Sequence, residues 1–143
     1  MSLAPSSNTA PRQALPAGLD AIFVIHATSF VERRQFIEAQ MAELGLPFEF
    51  VLDFDVPSIP EDLRQRLFHD DKLSPAQQSC ALKHWKAHRL IAQSKLSRAL
   101  ILEDDVIFSA QFLPALKGLM KKNWPWATRM SPFWAAAPLL RAA

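Results

Sequence analysis

Glu103, Asp104 and Asp105 interrupt an apolar run, Ala99-Leu100-Ile101-Leu102 before them and Val106-Ile107-Phe108 after. Three adjacent carboxylates repel one another unless a cation sits among them. Hard oxygen donors in that number suit Mg²⁺ or Mn²⁺ holding a phosphate-bearing substrate. The same triplet also reads as a solvated acidic turn, since acids commonly leave strands into water. Leu100 to Leu102 read as a strand buried on both faces, which puts the acids at a strand's carboxyl end, where open α/β sheets bind ligands.

Two further groupings have spacings that could support chemistry. Cys80, His84 and His88 fall at i, i+4 and i+8, so one helix could offer all three to Zn²⁺; no fourth ligand is indicated, and buried, hydrogen-bonded histidines fit the same spacing. Cys80 as a nucleophile would need a depressed pKa and a partner base, neither of which the sequence shows. Arg33 and Arg34 lie in the first turns of the helix after the first strand, where they could meet a phosphate or simply be solvated. A glycine-rich phosphate loop, a Walker lysine and a Gly-x-Ser-x-Gly elbow are all missing, which removes the commonest nucleotide-hydrolase and esterase readings.

The elements that must position these residues follow from patterning. Ala21 to Ile25 is a partly β-branched apolar run suited to a central strand. Ser29 and Glu32 have capping-box spacing, Phe30, Ile37, Met41 and Leu44 recur at helical intervals, and Gly45 offers a C-cap. Phe48 to Leu52 reads as a second strand running into Asp53 and Asp55, so strand, helix and strand imply a parallel sheet and an α/β fold. Pro57 and Pro60 break the chain before a short helix over Glu61 to Phe68. Ser74, Pro75 and Gln77 start a helix that reaches about Ser94, with Cys80, Ala81, His84, Trp85, His88, Ile91 and Ala92 on its packed side and Lys83, Lys86, Arg89 and Gln93 opposite. A last helix opens at Ser109 and carries Leu113, Leu116, Leu119 and Met120.

Composition sets the outer limits. With 143 residues, half of them hydrophobic and 21% charged, the chain has the composition of one globular domain. Sixteen basic and fourteen acidic residues leave +2, too balanced for a nucleic-acid or membrane-surface binder without a local patch. One cysteine excludes an intrachain disulfide framework and fits a reducing compartment. The first twenty residues lack the pattern of a signal peptide and no run is long enough to span a bilayer, so the expected location is cytoplasmic, with at most peripheral contact at the inner face of a membrane. Residues 1–20 read as a flexible leader and 21–126 as the ordered part. Residues 127–143 read as an irregular, non-native tail, because the stretch from Trp124 onward lacks acids and is rich in Trp, Pro and Ala.

Ile22-Phe23-Val24-Ile25, Glu32-Arg33-Arg34, Leu44-Gly45-Leu46, Phe48-Glu49-Phe50, Leu73-Ser74-Pro75, Cys80-Ala81-Leu82 with His84, and Ala99 to Val106 together resemble glycosyltransferase family 25. That family comprises the lipooligosaccharide β-galactosyltransferases, to which collagen galactosyltransferase domains are similar. The resemblance fades close to Trp126 and implies that 21–126 is the nucleotide-sugar-binding half of a glycosyltransferase domain, with a GT-A-like, Rossmann-like sheet flanked by helices and an inverting, metal-dependent transfer from a nucleotide sugar, usually UDP-galactose, to a glycolipid or oligosaccharide hydroxyl. It implies Mn²⁺ or Mg²⁺ at Glu103 and Asp105, and donor contacts from Arg33, Arg34, His84 and Asp104. It supplies no general base. The chain departs from the family at His26-Ala27-Thr28, where Asn, Leu and a basic residue are typical, and at Lys83, where Ser is common. Its short remainder after Asp105 implies an incomplete, truncated or frameshifted sheet whose exposed edge dimerisation would cover. Two rival readings stand beside it: a non-catalytic nucleotide-binding or oligomerising remnant, and a receiver-like or phosphatase-like domain using the acids for Mg²⁺ and phosphoryl chemistry.

Overall fold

A computed structural model describes residues 14–69 and 72–122 of the chain. Within them lie β1 (Ala21–Ile25), α1 (Val31–Leu44), β2 (Glu49–Val51), a 3₁₀ turn (Val56–Ser58), α2 (Glu61–Phe68), α3 (Pro75–Gln93), β3 (Ala99–Glu103) and α4 (Phe112–Met120). The strands form one parallel sheet in the order β2-β1-β3. Ile25 is level with Val51 on one side and with Glu103 on the other, so all three strands leave the sheet at one edge. This is the α/β, GT-A-like arrangement that the sequence implies: a parallel sheet flanked by helices.

Alternation along the central strand builds a core on each face. Ile22 and Val24 pack with Ile37 and Met41 of α1 and Leu116 of α4. Phe23 and Ile25 pack with Val51 and with Ala87, Leu90 and Ile91 of α3. Because side chains in a strand point to opposite faces in turn, a fully apolar β1 requires a helix layer on both sides, and α1 with α4 and α3 supply them. Gly45 ends α1 in the left-handed region at φ 67°, and its amide caps the carbonyl of Ala42. Ser74 and Gln77 close a complete capping box at the start of α3.

Several expectations are corrected. The Ser29/Glu32 capping box does not form; α1 is flanked by Phe30 with no side-chain cap, and the neighbouring Thr28 bonds to Asp55 instead. Ser109 does not cap α4 through its side chain either; its carbonyl accepts the Phe112 amide, and Gln111 precedes the helix. β3 is half-buried along Ala99 to Leu102 rather than enclosed on both faces, because among the described residues it is an edge strand paired only with β1. α3 packs by Ser79, Leu82, Lys83 and Ala87, whereas Ala81, His88 and Ala92 are exposed. The helix is thus rotated from the orientation its hydrophobic pattern suggests, with Lys83 turned inward onto the β2 exit. The non-native tail expected over 127–143 and the first thirteen residues of the expected leader lie outside the described residues. From residue 14 the chain joins the fold: Leu19 is buried in the core and Asp20 accepts the amides of Ser97 and Arg98.

Candidate functional site

Parallel strands deliver three exits to one edge of the sheet: His26-Ala27-Thr28 after β1, Leu52 to Asp55 after β2, and Glu103 to Asp105 at the end of β3. Between these exits and the start of α3 lies a cleft of about 420 Å³ lined by His26, Thr28, Arg33, Asp55, Lys83, Glu103 and Asp104 among others. Its position matches the general rule for ligand sites in open α/β sheets.

The acidic triplet divides into three roles. Asp104 turns inward and is buried, with Oδ2 at 2.6 Å from His26 Nδ1 and Oδ1 accepting from Arg33 Nη1 at 3.4 Å. Its amide donates to the Ile25 carbonyl, continuing the β1–β3 ladder. The Nε2 atom of His26 is itself buried and has no hydrogen-bond partner among the described residues. Glu103 is half-exposed on the cleft and reaches His84, with Oε1 at 3.0 Å from Nε2; the Cys80 thiol donates to the same oxygen at 3.9 Å. Asp105 is the most exposed of the three, outside the cleft lining, with Arg33 Nη1 4.0 Å away.

Lys83 ties the other two exits together. Its side chain is only 2% exposed, and Nζ donates to the carbonyls of Leu52 at 2.9 Å and Asp53 at 2.7 Å while pairing with Asp55 Oδ1 at 2.8 Å. A buried ammonium has three protons to satisfy, and here three oxygens meet it. Asp55 in turn accepts from the amide and the hydroxyl of Thr28, which locks the β1 exit to the β2 exit. Burial pushes the Asp55 carboxyl up, but bonds from Lys83 and Thr28 outweigh it and hold the group below its ordinary value. Ser79 adds a hydroxyl bond to the carbonyl of Phe54, which holds a left-handed backbone at φ 63°.

Of the residues expected at the site, Arg33, Glu103 and Asp104 line the cleft. His84 stands behind Glu103. Arg34 is directed elsewhere, paired with Glu38 at 3.0 Å and lying over the Phe50 ring at 4.9 Å. Sequence reasoning missed Lys83, Thr28 and Asp55 as a connected set. Asp53 and Asp55 were visible as acids leaving a strand, but nothing in a helical period announces that a lysine will turn inward to meet them.

Cys80, His84 and Glu103 each offer one donor atom, and these atoms lie within 4.8 Å of one another, a grouping that could hold a metal ion. Carboxylate and imidazole donors fit a divalent cation, but Asp105, expected among the metal ligands, is not part of this grouping. The thiol is less suited to a hard ion: burial, then the charges of Glu103 and Asp105, push Cys80 up, so it stays protonated near neutral pH. His88, exposed on α3, is not part of the cluster.

Residues 19–131 match the model of glycosyltransferase family 25, described as an LPS biosynthesis protein family. The match continues past Trp126, where the change in composition suggested that likeness would end. Among curated proteins, a glycosyltransferase 25 family member from Drosophila pseudoobscura pseudoobscura is 30% identical over 105 residues, covering 66% of this chain. The chain spans 17% of that relative's length. No solved structure matches the chain.

Proposed function

The chain belongs to glycosyltransferase family 25, and from that premise we propose that the cleft at the carboxyl edge of its sheet is the donor site of a metal-dependent hexosyltransferase. The donor is a UDP-hexose, with UDP-galactose the first choice, and the acceptor is a hydroxyl of a lipooligosaccharide or related glycan, attacked with inversion. The observation that supports this reading most directly is the position of Glu103, whose half-exposed carboxylate faces the cleft and meets His84 at 3.0 Å.

The residues divide the work by burial. Arg33 is half-exposed at the cleft and is fixed by Asp104, so its remaining N–H groups are available to a diphosphate. Asp104 serves the donor at second hand, since both its oxygens are already engaged by His26 and Arg33. Glu103, Asp105 and His84 would hold Mn²⁺ or Mg²⁺. When bound, the cation would neutralise negative charge on the departing diphosphate. Lys83 and Asp55 hold the opposite wall, keeping the Thr28 amide and hydroxyl in place.

Equilibrium binding of UDP-galactose with and without Mn²⁺ tests the proposal. Binding should require the cation and be lost in Glu103→Gln. Loss of one charge-assisted bond of roughly 1.5–3 kcal/mol should weaken it at least about tenfold in Arg33→Ala. Arg34→Ala should leave it unchanged. Cation-independent binding, or binding that survives Glu103→Gln, would refute this assignment.

A further inference from the structure

We propose that Cys80, His84 and Glu103 form a site for a thiophilic cation, Zn²⁺ in chemical class, distinct in ligand set from a hard-ion site at the same edge. Cys80 and His84 are one turn apart on α3, and Glu103 arrives from the end of β3, so the site joins a helix and a strand that are 19 residues apart at their nearest ligands. The i+8 histidine of α3 is not needed, because the sheet supplies the third ligand. Zinc bonds of about 2.0–2.3 Å in tetrahedral geometry place neighbouring donor atoms about 3.3–3.6 Å apart. Here the imidazole and carboxylate atoms are 3.0 Å apart, the thiol and carboxylate atoms 3.9 Å apart, and all three within 4.8 Å. Small side-chain adjustments therefore close the set around one ion. Both Cys80 and Glu103 line the cleft, so the fourth position opens to water or to a ligand, as it does in sites with three protein donors.

Binding would release the thiol proton to solvent and leave a thiolate on the metal. A coordinated dication favours the thiolate over the thiol. Thiolate ligation separates Zn²⁺ from Mg²⁺ and Mn²⁺, which prefer oxygen. Glu103 and His84 are common to both ligand sets, which differ in Cys80 against Asp105, so zinc and the hard cation exclude each other. That exclusion, unlike zinc binding itself, rests on the function proposed above.

Co²⁺ reports the site without any nucleotide. Titrated into the full reduced chain, it should bind one per chain and give the near-ultraviolet thiolate-to-cobalt charge-transfer band, which Zn²⁺ then bleaches. Cys80→Ser should abolish the band. His84→Ala and Glu103→Gln should each weaken binding by more than the roughly 10–100-fold that outer partners of a metal site command, while His88→Ala leaves it intact. Circular dichroism on each variant confirms that the fold persists. No charge-transfer band, half an equivalent of metal per chain as in a bridge between copies, or full affinity in both His84→Ala and Glu103→Gln would overturn the site. In the second arm, one equivalent of Zn²⁺ should eliminate Mn²⁺-dependent UDP-galactose binding. Both ions bound together, with donor binding intact, would overturn the exclusion.

Discussion

Replacing Lys83 by Met retains an unbranched chain of similar length but removes the ammonium. Three contacts at 2.7–2.9 Å disappear, and Asp55 Oδ1, the Leu52 carbonyl and the Asp53 carbonyl lose their shared donor. Removing one partner of a buried ion pair costs about 3–5 kcal/mol, chiefly through the charge left behind. Asp55 keeps its two bonds from Thr28 and its side chain is 18% exposed, so water reaches it and the lower end, about 3 kcal/mol, applies. For a chain of 143 residues each kcal/mol shifts Tm by about 3–5 °C, which predicts a fall of roughly 9–15 °C. Urea unfolding should show the same loss as a lower midpoint at unchanged slope. Combining Lys83→Met with Asp55→Asn removes the stranded charge, so the double variant should recover about 1–3 kcal/mol relative to the sum of the singles. A solvated lysine would change stability by no more than about 0.5 kcal/mol. A cost that small, with no coupling to Asp55, would refute the buried clamp.

Asp55 also sets an acid dependence. Its folded pKa lies below the ordinary 3.8, so its contribution is fully present above 3.8 and is lost as pH falls through the lower folded value. The stability gap between wild type and Asp55→Asn in urea melts should therefore hold steady above about pH 5 and shrink below 3.8; a gap that widens on acidification has the wrong sign. Two glycines should respond in opposite directions. Gly45→Ala forces a left-handed residue and should cost about 1–2 kcal/mol. Gly118→Ala, within α4 with open space around a new Cβ, should gain about 0.5–1 kcal/mol. Thermal melts of both variants check the pair. Cys80 should alkylate slowly with iodoacetamide at neutral pH and faster in Glu103→Gln, because that change removes a charge and a hydrogen bond that favour the thiol. An equal or slower rate in the variant would contradict that cause.

Local signals that depend on a few adjacent residues were legible in the sequence. The Ser74/Gln77 box, the Gly45 cap and the bounds of α2 follow from chemistry within one turn of helix. The parallel sheet follows from an apolar strand on either side of a helix. The rotation of α3 was not legible. Hydrophobic periodicity assigns Lys to water, and only the fold reveals that the β2 exit offers two carbonyls and a carboxylate to that position. Ser29 and Glu32 failed in a similar way: the spacing was right, but Thr28 was already engaged by Asp55, 27 residues away. At the site, the acidic triplet announced itself, whereas its division into a buried Asp104, a cleft-facing Glu103 and an exposed Asp105 depends on pairing with His26 and Arg33, distant in the chain. The separation of Arg33 from Arg34 has the same origin, because adjacent helix positions face different neighbours.

The proposed cation-dependent donor site consists of Glu103, Arg33 and the cleft between the strand exits. Thermal unfolding of the 143-residue chain alone, with Mn²⁺, with UDP and with both tests it most directly. A ligand that binds only the folded state at one hundred times its dissociation constant stabilises it by about 2.7 kcal/mol. A Tm rise of several degrees is expected with Mn²⁺ and UDP together, little with UDP alone, and none with the pair in Glu103→Gln. A cooperative melt indifferent to both ligands, or one shifted equally in Glu103→Gln, would contradict it.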